Sequence, residues 1–232
     1  MEFTKALIKG KLIKRYKRFF ADVKLDKEII TAHCPNTGSM QGLLDEGNEV
    51  FISKNDDPKR KLKYTLEIIK VRKNLVGVNT HFANKIAYHG LSNNLVKELS
   101  NNNSIKPEVF FNKETRFDFL LEKNKKKIFV EVKNVTLFRD GKIAEFPDSI
   151  TARGSKHLKT LVTAITEGYK SYLLFLVQIQ GVENFKIAKD IDKEYYENYL
   201  LAKKAGVIFL AYRCKINSKK IMIEKKIKII NA

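Results

Sequence analysis

The feature that most constrains this chain is an apolar segment at 128–135, IFVEVKNV, which contains a carboxylate and an amine. Its composition predicts a buried β-strand, and side chains along a strand alternate between two faces. Glu131 and Lys133 therefore share one face, while Val130 and Val132 occupy the other. Because buried charges are costly unless they are paired, this strand requires partners for both groups.

The preceding strand, RFDFLL at 116–121, carries an acid at the matching position. A hairpin that turns symmetrically about Asn124 and Lys125 places Asp118 directly opposite Glu131. Like charges in that position destabilise a sheet, because the Cβ atoms of such a pair are about 4.5–5.5 Å apart. A divalent cation that bridges both carboxylates offsets the repulsion better than one flexible lysine.

This arrangement predicts a Mg²⁺ or Mn²⁺ site for phosphodiester hydrolysis, with Asp118 and Glu131 as metal ligands and catalytic residues. The ammonium of Lys133 would orient or help deprotonate the attacking water and offset charge on the phosphate. A purely structural network of Asp, Glu and Lys is the alternative. The pattern acid, any residue, lysine occurs five times, but only Glu131 and Lys133 lie in an apolar frame after a strand that carries an acid.

The charge balance predicts a polyanionic partner. The chain has 45 Lys and Arg against 26 Asp and Glu, a formal net charge of +19. Lysine and arginine side chains that neutralise phosphates release the counterions bound there, which favours binding, so nucleic acid is the natural partner class. A lysine-rich surface without a partner is the alternative. Two basic groups are candidate nucleic-acid contacts, one near the N-terminus and one opening a predicted helix after the candidate site: Lys14, Arg15, Lys17 and Arg18, then Arg153, Lys156 and His157.

Two domains are predicted, with a boundary near residue 80. Residues 1–80 contain five short strands, which a barrel of the oligonucleotide/oligosaccharide-binding (OB) type closes without long exposed edges: FFADVKL, EIITAHC, NEVFISK, KLKYTLEIIKV and NLVGV. Residues 81–232 mix helices with strands, beginning with the helical segments THFANKIAYHG and LSNNLVKELS. After Pro107 the order is three strands that begin at VFFN, a helix, an apolar strand, a second helix and two final strands. The expected fold class is therefore mixed α+β, an OB-like five-stranded barrel followed by an α/β domain.

The sequence also bears on location. The longest wholly apolar run, Leu173 to Val177, is too short to span a bilayer, and the N-terminus has no signal-peptide core. Cys34 and Cys214 form no CxxC pair, so neither a disulfide framework nor a zinc site is suggested. We therefore expect a cytoplasmic protein with no membrane partner.

The motifs resemble known families. Asp118 and Glu131-Val132-Lys133 on consecutive strands, within helix, three strands, helix and strand, are similar to the PD-(D/E)XK nuclease superfamily. Over essentially the whole chain, six segments resemble the sugar fermentation stimulation protein A family: HCPNTGSM (33–40), GVNTHFANKI (77–86), RFDFLL (116–121), FVEVKNVTL (129–137), FPDSITARGSKHL (146–158) and LAYRCKI (210–216). That resemblance implies an OB-type barrel joined to a restriction-endonuclease-like domain. It also implies DNA binding with little sequence preference and a regulatory link to sugar (maltose) utilisation.

One departure from the superfamily pattern concerns a third acid. Superfamily members often supply it from the first helix of the nuclease core, but residues 87–90 contain none. Glu98 and Glu114 are the candidates to replace it. Three functions remain open: a Mg²⁺-dependent nuclease, a non-catalytic DNA-binding regulator of sugar metabolism, and an RNA-binding protein.

Overall fold

The structure is a computed structural model, and it describes residues 1–230. Five strands form the first domain: β1 (Ile8–Tyr16), β2 (Phe20–Lys24), β3 (Ile29–His33), β4 (Glu49–Lys54) and β5 (Tyr64–Val71). They are hydrogen-bonded in the order β3-β2-β1-β4-β5, and a parallel contact between β3 and β5 closes the sheet on itself. The predicted five-stranded barrel is confirmed.

The first barrel strand is not among the five strands predicted from the sequence, and that prediction was wrong. β1 alternates exposed lysines with the buried Gly10 and Leu12, so its basic content concealed the period of a half-buried strand. The predicted strand NLVGV is β6 (Asn74–Gly77), which pairs with β5 at the edge of the barrel. β6 also joins the two domains, because the Gly77 N–H donates to the Gln178 carbonyl at 2.9 Å.

The second domain is built on a mixed sheet. Its strands are β7 (Ser104–Phe110), β8 (Arg116–Lys123), β9 (Lys126–Val135), β10 (Ile143–Phe146), β11 (Lys170–Val177), β12 (Asn184–Ile187), β13 (Ile208–Ile216), β14 (Ile221–Lys226) and β15 (Lys228–Ile229). Six of them form the central sheet in the order β14-β13-β11-β9-β8-β7, and β10, β12 and β15 form a small parallel sheet. β9, β11 and β13 are parallel neighbours. β11 is buried at every position after Lys170, as expected for a strand covered on both faces.

Helices cover both faces of the central sheet: α1 (Ala83–Ser92), α2 (Ala152–Thr166) and α3 (Lys193–Lys204). Ile86 and Leu91 of α1 pack with Val130 and Val132 on one face. Leu158 of α2 belongs to a second core on the other face, which is continuous with the core of the barrel. Within residues 1–230, no helix combines the length and apolar character needed to cross a membrane.

The segment between α1 and β7 differs from the prediction. LSNNLVKELS is not a helix, because α1 ends at Ser92 and only a single 3-10 turn, Lys97–Leu99, follows. Asn94 adopts the left-handed conformation, with φ of 56°, which stops the helix. β7 then begins at Ser104 and contains Pro107, which is tolerated because β7 is an edge strand.

The HCPNTGSM segment joins the two domains. The Pro35 carbonyl accepts the Thr80 hydroxyl at 2.7 Å, and the Asn36 side chain donates to Thr136 at 3.4 Å. Cys34 beside them is fully buried, and burial raises the pKa of its thiol. This loop therefore has a structural role at the junction.

Candidate active site

The hairpin formed by β8 and β9 has the predicted register. Asn124 and Lys125 form its turn, with φ of 51° and 63°, the conformation that a two-residue hairpin turn requires. Pairing runs from Lys123 opposite Lys126 to Phe119 opposite Val130. It ends there, one residue before Asp118 and Glu131, so the two acids lie where the strands separate.

A cleft of about 770 Å³ opens at this point, and the predicted trio of Asp118, Glu131 and Lys133 lines it together. We call it the carboxylate cleft. Its other charged or polar lining residues come from α1, α2 and β7 to β8: Asn84, Glu108, Glu114, Thr115, Arg116, Arg153, Lys156 and His157. The two acids predicted from sequence therefore face the same space.

Asp118 is held by two hydrogen bonds. Its Oδ2 accepts the Val132 N–H at 2.7 Å, and its Oδ1 accepts the Asn84 amide at 2.8 Å. Burial, followed by the negative charge of Glu131, raises the pKa of Asp118 to about 6. The Val132 and Asn84 hydrogen bonds oppose that increase without cancelling it.

Glu131 is 2% exposed, and its two carboxylate oxygens have different surroundings. Oε1 accepts the Lys133 ammonium at 2.7 Å and contacts Nδ1 of His157. Burial alone would raise the pKa of Glu131, but Lys133 and His157 outweigh it and lower that pKa. Oε2 is buried without a hydrogen-bond partner. Glu131 is therefore the more stable carboxylate and has one oxygen without a hydrogen-bond partner, whereas Asp118 protonates at a higher pH.

His157 contacts Glu131 rather than projecting freely towards a ligand. The Arg153 Nε lies 3.4 Å from His157 Nε2, and His157 Nδ1 contacts Glu131 and lies 3.3 Å from the Lys133 ammonium. Lys156 forms an exposed ion pair with Glu114 at 3.0 Å. All three predicted phosphate contacts of α2 line the carboxylate cleft, but His157 acts there through Glu131.

The two candidates for a third acid lie in different places. Glu98 is outside the cleft lining, where its carboxylate accepts the Tyr212 hydroxyl at 2.6 Å and the Lys226 ammonium at 2.5 Å. Its position therefore does not suit a third ligand. Glu114 does line the cleft, although its side chain is 76% exposed and paired with Lys156.

Sequence reasoning missed two residues that face Asp118. Asn84 of α1 donates to Asp118 at 2.8 Å, and it also donates to Glu108 at 3.2 Å. Glu108 lies between the β7 residues that pair with Phe117 and Phe119, so it is opposite Asp118 on the neighbouring strand. Its φ of 55° is unusual for a non-glycine residue, as often found at functional sites. If this strand had been predicted to start at Ser104, its pairing with β8 would have placed Glu108 opposite Asp118.

The basic group near the N-terminus lies outside the carboxylate cleft. Lys17 and Arg18 form the turn between β1 and β2, with φ of 45° and 62°. Arg15 donates to the carbonyls of Asn36 at 2.7 Å and Arg18 at 3.1 Å, so its guanidinium helps hold the domain junction. Lys14 lies 4.0 Å from Asp22.

The donor set of the cleft fits a hard divalent cation. Carboxylate oxygens are the ligands that Mg²⁺ prefers, and Glu131, whose Oε2 has no hydrogen-bond partner, lines the cleft together with Asp118. Among residues 1–230, no three acidic, histidine or cysteine side chains are grouped so that they could hold a metal by themselves. Such a site suits Mg²⁺, because that ion commonly keeps several waters and takes one or two carboxylates.

Known proteins resemble the chain over its whole length. A family model described as "SfsA N-terminal OB domain" matches residues 13–78, and one described as "Sugar fermentation stimulation protein RE domain" matches residues 81–220. The chain belongs to the sugar fermentation stimulation protein family. The family predicted from the motifs is thereby confirmed.

Relatives from this family align end to end with the chain. A sugar fermentation stimulation protein homolog of Pelagibacter ubique is 85% identical over 100% of both chains, and one of Pseudoalteromonas atlantica is 43% identical over 99% of this chain and 100% of its own. A solved structure described as Pyrococcus furiosus SfsA in complex with Ca²⁺ has a TM-score of 0.87 at 26% identity. It covers 99% of this chain and 98% of its own.

Proposed function

We propose that this protein binds DNA with little sequence preference and hydrolyses phosphodiester bonds with Mg²⁺ or Mn²⁺. The observation that carries the proposal is that Asp118, Glu131 and Lys133 line one cleft, where Glu131 has a buried carboxylate oxygen, Oε2, without a hydrogen-bond partner. The Pyrococcus furiosus relative is described with Ca²⁺, which prefers oxygen ligands as Mg²⁺ does. That relative supports the binding of a divalent cation, and the carboxylate cleft is the site that we propose for it in this chain.

Each residue of the cleft has a distinct role in the proposal. Asp118 and Glu131 would hold the cation, and when bound it would supply the positive charge that polarises a phosphate oxygen. Lys133, fixed by Glu131 at 2.7 Å, orients the attacking water and offsets negative charge on the phosphate. His157 and Asn84 position the two acids, because each contacts one of them.

DNA is the proposed substrate because of the charge and the family. The net charge of +19 favours a polyanion, and Arg153 and Lys156 add positive charge at the cleft itself.

The two buried cysteines are free thiols, in agreement with the reducing cytoplasm that we propose as the location.

A cleavage assay tests the proposal. The wild type, Asp118→Asn and Lys133→Met would be incubated with single-stranded DNA, duplex DNA and RNA in the presence of Mg²⁺ or Mn²⁺. Glu122→Gln is a matched control, because Glu122 is an exposed acid on the same strand outside the cleft. We expect wild type and control to cut DNA and both cleft variants to lose at least about 100-fold in rate. Equal products from all four proteins would overturn the catalytic proposal, and cutting confined to RNA would overturn DNA as substrate.

A non-catalytic DNA-binding regulator linked to sugar (maltose) metabolism is the second candidate. Within residues 1–230, no three acidic, histidine or cysteine side chains are grouped so that they could hold a metal, and this favours the regulator. Calorimetric titration with Mn²⁺ separates the two candidates. Binding that disappears in Asp118→Asn supports the enzyme, whereas DNA binding without any metal binding supports the regulator. Competition between DNA and RNA of the same sequence tests the third candidate, an RNA-binding protein.

A further inference from the structure

Three depressions adjoin one another along the N-terminal half of α1. The first is the carboxylate cleft. The second, which we call the apolar pocket, has a volume of about 340 Å³ and is lined by Asn84, Lys85, Tyr88, Pro107, Glu108 and Phe119. The third, the basic pocket at the mouth of the barrel, has a volume of about 470 Å³. Asn84 and Glu108 line both the cleft and the apolar pocket, and Lys85 lines both the apolar and the basic pocket.

The apolar pocket suits a nucleobase rather than a phosphate. Tyr88 is 45% exposed there, with its ring centroid 6.3 Å from that of the buried Phe119. A second exposed aromatic, Phe110, lines the carboxylate cleft with 68% of its surface exposed. Aromatic side chains beside a phosphate-binding groove bind bases by stacking, and only an unpaired base presents its face for that contact.

The basic pocket suits a phosphate. It is lined by Lys5, His33, Lys54, Arg60, His81 and Lys85. The Arg60 guanidinium makes one long hydrogen bond, to Thr65 Oγ1 at 3.4 Å, and no ion pair with any residue in 1–230. Two acids, Glu2 and Glu67, also line the pocket, and Glu67 is 3% exposed with both oxygens engaged, by Ser53 at 2.6 Å and Asn79 at 2.8 Å. The pocket therefore offers donors and positive charge to an incoming anion.

We propose that these depressions form one track for single-stranded DNA, with an unpaired base against Tyr88 and a phosphate at Arg60. The inference rests on the proposed function and names its substrate as the single strand. A track that runs from the carboxylate cleft past an aromatic surface to a basic pocket matches the alternation of phosphate and base along one extended strand. A duplex has its bases stacked internally and offers only its backbone and groove edges to such a surface.

Fluorescence anisotropy on the full chain tests the track. A labelled single strand of about 16 nucleotides, the upper site size of one OB fold, would be compared with a duplex of the same sequence, in EDTA to prevent cleavage. The wild type is expected to bind the single strand more tightly. Tyr88→Ala should weaken that binding by about 5- to 100-fold, whereas Tyr88→Phe, which keeps the ring, should bind like the wild type.

Arg60→Ala tests the basic pocket, with Arg72→Ala as its matched control. Arg72 also makes one long hydrogen bond, to the Asp140 carbonyl at 3.4 Å, but lines none of the three depressions. Arg60→Ala should weaken single-strand binding and reduce its dependence on salt by about one phosphate contact, and Arg72→Ala should change neither.

The outcomes separate this inference from the proposed function. Single-strand binding that survives Tyr88→Ala, or a duplex bound as tightly as the single strand, would overturn the track and leave DNA binding in place. A protein that binds neither oligonucleotide would overturn the proposed function and the track together. Circular dichroism melting of each variant excludes loss of folding as the cause of weaker binding.

Discussion

Replacing Asp118 by asparagine is expected to stabilise the metal-free protein at neutral pH. Burial, then the charge of Glu131, raises the pKa of Asp118 to about 6, against an ordinary value of 3.8. The folded state therefore binds this proton more tightly than the unfolded state does. The stabilisation that protonated Asp118 gives the folded state is fully present below a pH of about 3.8, where the unfolded state is protonated as well. It is lost as the pH rises through about 6, where Asp118 ionises in the folded state.

The size of the effect follows from that difference in pKa. At about 1.4 kcal/mol per pH unit, the ionised Asp118 costs roughly 3 kcal/mol of unfolding free energy above the pKa of the folded state. Asparagine removes the charge but cannot accept both hydrogen bonds that Val132 and Asn84 donate, and losing one costs about 1 kcal/mol. We therefore expect Asp118→Asn to gain about 1–2 kcal/mol near neutral pH and to lose that advantage in acid.

Urea unfolding in EDTA, followed by circular dichroism across the range from acid to neutral pH, measures the difference. Glu122→Gln is the control and should change the unfolding free energy by less than about 0.5 kcal/mol throughout. Added Mn²⁺ should stabilise the wild type and leave Asp118→Asn unchanged. A variant less stable than the wild type near neutral pH in EDTA would refute the reasoning. It would show that the acids belong to a satisfied structural charge network.

Three further predictions concern single residues. Lys133→Met should lower the cleavage rate at least about 100-fold while Mn²⁺ still binds, because both carboxylates remain. A calorimetric titration that shows no Mn²⁺ binding would contradict the separate role of Lys133. Glu67→Gln should be more stable than the wild type at neutral pH and equal to it in acid, because burial raises the pKa of Glu67 and its ionised form becomes costly as the pH rises; urea unfolding at both pH values checks the sign. Arg139→Ala should cost about 2–4 kcal/mol, because Glu145 is 3% exposed and loses hydrogen bonds of 2.7 and 2.6 Å, although Lys186 remains at 3.3 Å. The exposed pair of Lys193 and Glu197 provides its control, since Lys193→Ala should cost less than about 0.5 kcal/mol, and equal losses for the two variants would rule out the buried pairing as the cause.

The central hairpin could be predicted because its information is local. Alternating apolar residues define both strands, and Asn124 and Lys125 adopt the left-handed conformation that a two-residue turn requires. Those two facts determine the register, and the register brings Asp118 and Glu131 to the same end of the hairpin.

Other parts of the site depend on contacts between distant segments. Asn84 and Glu108 reach Asp118 only because α1 packs on the sheet and β7 pairs with β8, and neither contact has a signal in the nearby sequence. His157 was predicted at the correct end of its helix, but its partner, Glu131, is determined by how α2 packs on β9. β1 was missed because its lysines, which face solvent, hid the alternation of buried positions.

The central claim is that Asp118 and Glu131 hold a divalent cation. A crystal soaked in Mn²⁺ and measured for anomalous scattering tests it most directly, with a second crystal of Asp118→Asn for comparison. The account predicts a peak within about 2.5 Å of an Asp118 oxygen and of Glu131 Oε2, and no peak in the variant. A wild-type map with no peak in the carboxylate cleft, or with the same peak in the variant, would contradict it.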